Sequence, residues 1–528
     1  MLQAQEENLQ VTEIITYSLI VGAVLAFGGI IWSYAKGLKK SPRDMWLLFI
    51  YNIIEYTAYM AMNLTLTLWL TADCGISDLG AGSYIMVWSI LLSIIGMLTG
   101  AVVDTIGIRK TLLISIFFLL FSRFFMSFVT NPALIFVLGF IPMAIGFAVV
   151  GPLVSIAIKK YTTKDTAAMG FGLFYVLMNL GYAIGSMLFD KIRGFFSVTD
   201  AAGAVNENAG TMFLGFHFTT YQMVFVIGFG FTIISLIVAF FIRDHIEIND
   251  EGELVKTPKK ELGSGLESVK NSAIDVATML RNVVVEKTFW IYIGILALTL
   301  FVRCVFFHFS YTFPKYGISV LGEGAPIGNI YGFLNSVLII FAVPIVSYIT
   351  KKTSSYKMMI IGSIVSSLAC FIAVIPPSFF EGLTNTPLGE LVFIKWLGLV
   401  DSPEKMSGIT AVAEYWPMIF FIFIFTIGES IWSPRLMQFT AEIAPKGKEG
   451  TYIALSILPW FAAKFFVGPM SGLLIKIYTP FENGHPLPAS PDHAMIWFWI
   501  GAMALLTPVT LFCFGKFFMR KLSVEAEK

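Results

Sequence analysis

Gly100-Ala-Val-Val-Asp104-Thr-Ile-Gly107-Ile-Arg109-Lys110 is a short polar interruption between two apolar runs, 81–103 and 111–129. Each run has the roughly 20 residues that a helix needs to cross about 30 Å of hydrocarbon. Inside the interruption, Gly100 permits close helix approach and Asp104 can counter-charge a neighbouring helix end. Gly107 suits a tight turn, and Arg109 with Lys110 anchors the loop at a charged interface.

The same pattern continues in both directions. Thirteen apolar runs long enough to span a bilayer follow one another, from 14–35 and 45–71 to 450–478 and 494–517. They are too long for barrel strands, which need only about 10 residues of alternating pattern. The 528 residues are 57% hydrophobic and 13% charged, where a soluble domain is about one-quarter charged. With 35 Lys+Arg against 34 Asp+Glu, the chain lacks the basic excess of a nucleic-acid binder. Its four cysteines lie in separate segments, without a metal-ligand or disulfide pattern. The expected fold is an all-α polytopic membrane protein.

Positive charge sets the orientation. If 36–44 faces the cytoplasm, that side collects 25 of the 35 Lys and Arg residues and the opposite side five. The first span is preceded by Glu6 and Glu7 but no Lys or Arg, unlike a signal peptide, and is read as a retained helix. Gly22 and Ala26, at i and i+4, offer it a docking face. Residues 1–40 then form an extra N-terminal transmembrane helix with its N-terminus outside. Two six-helix bundles follow, 41–243 and 288–518, joined by a cytoplasmic linker, 244–287, and closed by a cytoplasmic tail, 519–528. From Leu266 the linker turns amphipathic, with Val269, Ala273, Ala277 and Leu280 at helical spacing.

An ionisable group inside the bilayer is a functional hypothesis by default. Asn52, Glu55, Tyr59, Asn63 and Thr67 recur at spacings of three and four, on one face of the span 45–71. Tyr175, Asn179, Tyr182 and Ser186 do the same in 167–190. Arg303, Glu429 and Lys464 lie within later spans. Two carboxylates and two cations, divided between the bundles, suit a shared wet chamber in which Glu55 or Glu429 exchanges a proton. Arg123 and His308 fall nearer the outer ends of their spans, where snorkelling or interface contact is expected.

The loop 100–110 resembles the GxxxDxxGxRK signature of the major facilitator superfamily, and the six-plus-six layout is similar to that of its two bundles. The resemblance implies that Gly100, Asp104, Gly107, Arg109 and Lys110 act in gating. Four further stretches resemble the proton-coupled oligopeptide transporter family within it. They are Phe174-Tyr175-Val-Leu-Met178-Asn179-Leu-Gly181, Leu334-Asn335 followed by Pro344, Glu429-Ser-Ile-Trp-Ser433-Pro434 with Ala444-Pro445, and Pro152-Leu-Val154-Ser155. That likeness implies that Glu429 binds a substrate amino group, with Tyr59, Asn179 and Asn335 as hydrogen-bonding partners. The family's first-helix ExxER motif is reduced here to Asn52-Ile-Ile-Glu55-Tyr56, and the lysine expected before Pro152 is Gly151. Arg303 or Lys464 would replace the missing cations.

The expected function is secondary active transport, a proton-coupled symport of a small polar or zwitterionic, peptide-like solute by alternating access. A proton-driven exporter of drugs or lipids, and a non-transporting receptor or scaffold on the same fold, are the alternatives. No phosphate-binding GxxxxGK[ST] loop and no catalytic constellation is present, so ATP-driven transport and enzymatic activity are not expected. The expected partners are the solute, protons and the lipid bilayer, with no cofactor or metal and with the monomer as working unit. Asn63-Leu-Thr65, the one N-x-[ST] match, sits inside a span, which suits a bacterial inner membrane.

Overall fold

The computed structural model describes residues 21–256, 287–400, 410–443 and 458–526, apart from 23, 164, 202–204, 245, 250 and 483, plus isolated positions elsewhere. The side chain of Asp104 and most of the amphipathic stretch after Leu266 lie outside the described set.

The first half comprises α1 (residues 24–37), α2 (Arg43–Ala72), α3 (Asp78–Ile106), α4 (Ile108–Phe128), α5 (Pro132–Tyr161), α6 (Ala167–Phe196) and α7 (Thr220–Phe240). The second half comprises α8 (Lys287–Leu298), α9 (Leu300–Tyr311), α10 (Phe313–Leu321), α11 (Asn329–Ile349) and α12 (Ser355–Ile372). It ends with α13 (Tyr415–Ile443), α14 (Leu458–Tyr478), α15 (Met495–Ala504) and α16 (Leu506–Ala526). Local chemistry sets several starts. Ser77 accepts a hydrogen bond from the Gly80 N–H to begin α3, and Thr219 forms a reciprocal cap with Gln222 to begin α7.

Nine helices among the described residues are long and apolar enough to cross a bilayer, ten if α8 and α9 count as one. Those two are bent by 50° at Thr299, within the expected span 288–313. α2 is 30 residues long, but its polar stripe dilutes its hydropathy and keeps it out of the nine. Strands are also present, contrary to the all-helical expectation. Four two-stranded antiparallel hairpins fill the connections, β1–β2 (Val198–Thr199, Val205–Asn206), β3–β4 (Thr211–Phe213, Phe216–Phe218), β5–β6 (Ile246–Ile248, Leu254–Lys256) and β7–β8 (Phe481–Glu482, His485–Pro486). They are two or three residues long, too short to leave a periodic signal.

In the first half α2 packs on α6 and α7, α4 on α5 and α7, and α3 on α5. In the second, α13 packs on α11 and α12, α9 on α14 and α15, and α8 on α16. The halves meet where α3 runs along α14 and α6 along α11. At the first crossing Gly82 and Gly468 face each other, and a Cβ on either would overlap the other's carbonyl oxygen. Small residues let membrane helices approach this closely. Away from the core, Phe117, Phe124 and Phe128 of α4 are exposed, as lipid-facing side chains are.

α1 rests on α6 by a different contact from the one expected. Tyr34 lies against Gly172, and Ile31 joins the buried apolar cluster. Gly22 has nothing within 4 Å of a would-be Cβ, and Ala26 is exposed. The bulky ring fills a groove opened on the partner helix, and at the end of α1 it is Gly37, not Gly22 or Ala26, that lets Met169 of α6 approach closely.

Candidate substrate cavity

The motif loop is reduced to one residue. Gly107, at φ 91°, is the sole break between α3 and α4, a conformation that glycine adopts without strain. The Arg109 N–H donates to Asp244 Oδ1 at 2.7 Å. Fully buried Asp44 accepts from the Arg243 N–H at 2.7 Å and from its Nη2 at 2.6 Å. The side-chain bond to Asp44 also raises the Arg243 pKa above its usual value. These bonds bind together the ends of α2, α4 and α7 on the side of the motif loop.

A cavity of about 370 Å³ lies between the halves. α2 turns Tyr56, Tyr59 and Asn63 towards it, and α5 and α6 add Phe147, Asn179 and Tyr182. Tyr59 stacks on Phe147 with centroids 3.9 Å apart, and Tyr56 meets Tyr182 edge-on at 5.2 Å. The facing wall carries Tyr311 from α9, Tyr331 and Asn335 from α11, Glu429 from α13 and Lys464 from α14. Asn335 Nδ2 donates to Glu429 Oε2 at 3.1 Å and to Thr426 Oγ1 at 2.9 Å, which fixes the carboxylate's direction. The Lys464 ammonium stands 5.2 Å from the centre of the Phe307 ring. Arg303 occupies a small recess beside the cavity, which it shares with Glu429, and its guanidinium lies 5.4 Å from the Trp432 ring.

Five of the expected binding residues, Tyr59, Asn179, Asn335, Glu429 and Lys464, thus line one chamber, and Arg303 adjoins it. Glu55 does not reach it. At 100° per residue it sits about a quarter-turn from the face formed by Tyr56, Tyr59, Met60 and Asn63. Its Oε2 instead accepts from Arg123 Nη1 at 2.9 Å, inside the first half. The expectation for Arg123 is corrected with it. The residue is 2% exposed, does not snorkel, and also donates to Thr232 and to the Gly228 carbonyl of α7. His308 is likewise fully buried, bonded to Thr312 Oγ1 at 2.7 Å rather than placed at an interface. The four charges expected in one chamber are therefore divided: Glu429 and Lys464 line the cavity, Arg303 adjoins it, and Glu55 is sealed in the first half against Arg123.

A second charged set, in which only Arg193 and Lys315 belong to the five basic residues expected opposite the cytoplasmic side, joins the halves at the end opposite the motif loop. Lys315 of α10 pairs with Asp78 at the start of α3. Asp190 of α6 accepts from the N–H groups of Gly328 and Asn329, at 2.9 and 2.6 Å. Arg193 pairs with Glu207 and donates to the Ala325 carbonyl at 3.0 Å, and Glu207 accepts from the Gly324 N–H at 3.0 Å. No spacing in the sequence pointed to these contacts, because their members come together only where the connections between helices fold.

A sequence profile of the Major Facilitator Superfamily matches residues 48–402. The chain belongs to the Major Facilitator Superfamily. No functionally curated protein matches the sequence. Solved structures do match by fold. A POT family transporter in complex with 5-aminolevulinic acid has a TM-score of 0.61 at 17% identity, over 90% of this chain and 97% of that one. A POT family transporter in complex with a thioalcohol-conjugated peptide has 0.62 at 16% identity, over 91% and 99%. A D-xylose-proton symporter has 0.57 at 13% identity, over 88% and 96%. This superfamily member is an integral membrane transporter, predominantly helical, with a chamber between its two halves.

Proposed function

We propose that the protein is a proton-coupled symporter of a small zwitterionic, peptide-like solute, working by alternating access. The observation that carries this is that Glu429 and Lys464, a carboxylate and an ammonium, both line the chamber between the halves. In this reading Glu429 holds the solute's amino group and Lys464, with Arg303 beside it, the carboxylate. Tyr59, Asn179 and Asn335 supply hydrogen bonds. Charge-assisted hydrogen bonds of this kind contribute about 1.5–3 kcal/mol each, enough for micromolar binding when two act together with apolar contact.

The proton is carried by Glu429 and by Glu55, whose pairing with Arg123 breaks on protonation and loosens α2 from α4 and α7. The ties at Asp78–Lys315 and Asp190–Arg193–Glu207 support a state closed to the outside, and Gly100, Asp104, Gly107, Arg109 and Lys110 gate the inner face. The chain crosses a bacterial inner membrane thirteen times as a monomer, with α1 outside the two bundles of 41–243 and 288–518. Its N-terminus is outside, its C-terminus cytoplasmic, and the proton gradient replaces any cofactor.

Uptake of radiolabelled glycyl-phenylalanine into proteoliposomes under an imposed pH gradient tests the reading. Glu429→Gln and Lys464→Gln are each expected to lower uptake at least about tenfold, the loss of one charged hydrogen bond. Uptake that ignores the gradient and both substitutions contradicts it.

A further inference from the structure

The walls of the chamber are unlike in charge. Glu429, Lys464 and the adjoining Arg303 all come from the second half, on α13, α14 and α9. Among the described residues, the first half contributes no carboxylate, lysine, arginine or histidine to the lining. Its one carboxylate at this depth, Glu55, is turned away and paired with Arg123. What the first half presents instead is a packed aromatic sheet of Tyr56, Tyr59, Phe147 and Tyr182. Two side-chain amides, Asn63 and Asn179, interrupt it. Asn63 Oδ1 is buried with no hydrogen-bond partner among the described residues, and Asn63 lines the cavity.

We infer that the solute is an amphiphilic zwitterion with an aromatic body: both charged groups are read by the second half, and an uncharged aromatic flank lies on the tyrosine wall of the first. The inference rests on the transport reading above and narrows its substrate class. A solute whose charges pointed at opposite halves would leave one of them facing aromatic rings, without a countercharge in a chamber largely screened from water. Burying a charge unpaired is far more costly than burying a ring. A ring against this wall gains stacking and edge-to-face contact in addition to its burial. One neutral donor on the solute, a peptide or indole N–H, meets the orphaned Asn63 carbonyl. A chamber of about 370 Å³ is at the small end of ligand pockets, and admits one aromatic side chain with a short zwitterionic backbone. The solute stays with the second half when the halves part, because its charges are held there.

Binding to the purified full chain in nanodiscs, followed by titration calorimetry, tests this with glycyl-phenylalanine, glycyl-glycine, glycyl-phenylalanine amide and N-acetyl-glycyl-phenylalanine. Glycyl-phenylalanine is expected to bind at least about tenfold tighter than glycyl-glycine, from the ring contacts. Removing either charge, as in the amide or the acetylated peptide, is expected to weaken binding at least about tenfold. Tyr59→Leu and, as a second probe in case that variant folds poorly, Phe147→Leu should each shrink the ratio between the two uncapped peptides. Equal affinity for those two peptides, indifference to capping, or failure of all four to bind overturns the inference. The transport reading fails separately: a chain that shows this binding pattern yet moves no peptide in proteoliposomes keeps the site and loses the symport. A chain that transports both uncapped peptides alike keeps the symport and loses the aromatic flank.

Discussion

Glu55 and Arg123 form an ion pair that is almost wholly out of solvent, at 0% and 2% exposure. Removing one member of such a pair leaves the other charge buried alone, which costs about 3–5 kcal/mol, whereas removing both costs far less. Arg123→Leu is therefore expected to lower thermal stability strongly, and Glu55→Gln combined with Arg123→Leu to recover most of the loss. A double-mutant cycle on melting temperatures in detergent reads this, and simple additivity would contradict the pairing. Asp73, just past the end of α2, gives a pH-dependent counterpart outside the membrane. Burial raises its carboxyl above the ordinary value, although bonds from Thr219 Oγ1 at 2.5 Å and Asn208 Nδ2 at 2.6 Å pull the other way. The folded chain then binds the proton more tightly than the unfolded chain. This group's stabilisation is present in acid and is lost as pH rises from about 4 through the raised value. Asp73→Asn keeps an acceptor without titrating, so it should raise the melting temperature at pH 7 more than at pH 4; the reverse order would refute the sign. At this scale the sequence was partly legible. Glu429 and Lys464 stand out as charges in apolar runs, and Asn335 follows a recognisable Leu-Asn…Pro spacing. Glu55 stands out equally, but the quarter-turn that directs it away from the cavity depends on where α4 and α7 pack, which no spacing on α2 reveals.

Among elements, the ends of α6, α10 and α11 opposite the motif loop carry contacts that hold the halves together on that side. Asp190 caps two free N–H groups at the start of α11, where the positive end of the helix dipole adds to the attraction. Asp190→Asn and Lys315→Ala should each weaken this closure. With a cysteine at Ser336, which lines the cavity, a membrane-impermeant maleimide added outside is expected to label these variants severalfold faster than the otherwise unchanged protein. Equal labelling rates would show that the ties do not close that side. The long helices were legible because each apolar run exceeds the bilayer thickness. The Thr299 bend was not, since Thr299 lies in an uninterrupted apolar run, and neither were the hairpins in the connections. The union of Arg193 with Glu207 also escaped notice, because its members are 14 residues apart on either side of a turn that only the folded chain defines.

For the molecule as a whole, the division into two packed halves follows from the order of the runs and the single long polar linker. The chamber follows from the polar faces of α2 and α6 meeting the charged residues of α9, α13 and α14. The distribution of charge between the halves did not follow, because a count of ionisable residues per bundle says nothing about which of them face the centre. Two cations and a carboxylate at the chamber against an aromatic wall are the basis of the proposal that a zwitterion is bound from one side. Coupling to a gradient then depends on whether solute and proton move together. The most direct test is to trap a pH-sensitive dye inside proteoliposomes, with no imposed gradient, and add glycyl-phenylalanine outside. The account predicts that the lumen acidifies with wild-type protein and that Glu429→Gln abolishes the signal. Peptide accumulation without any change in luminal pH would contradict it.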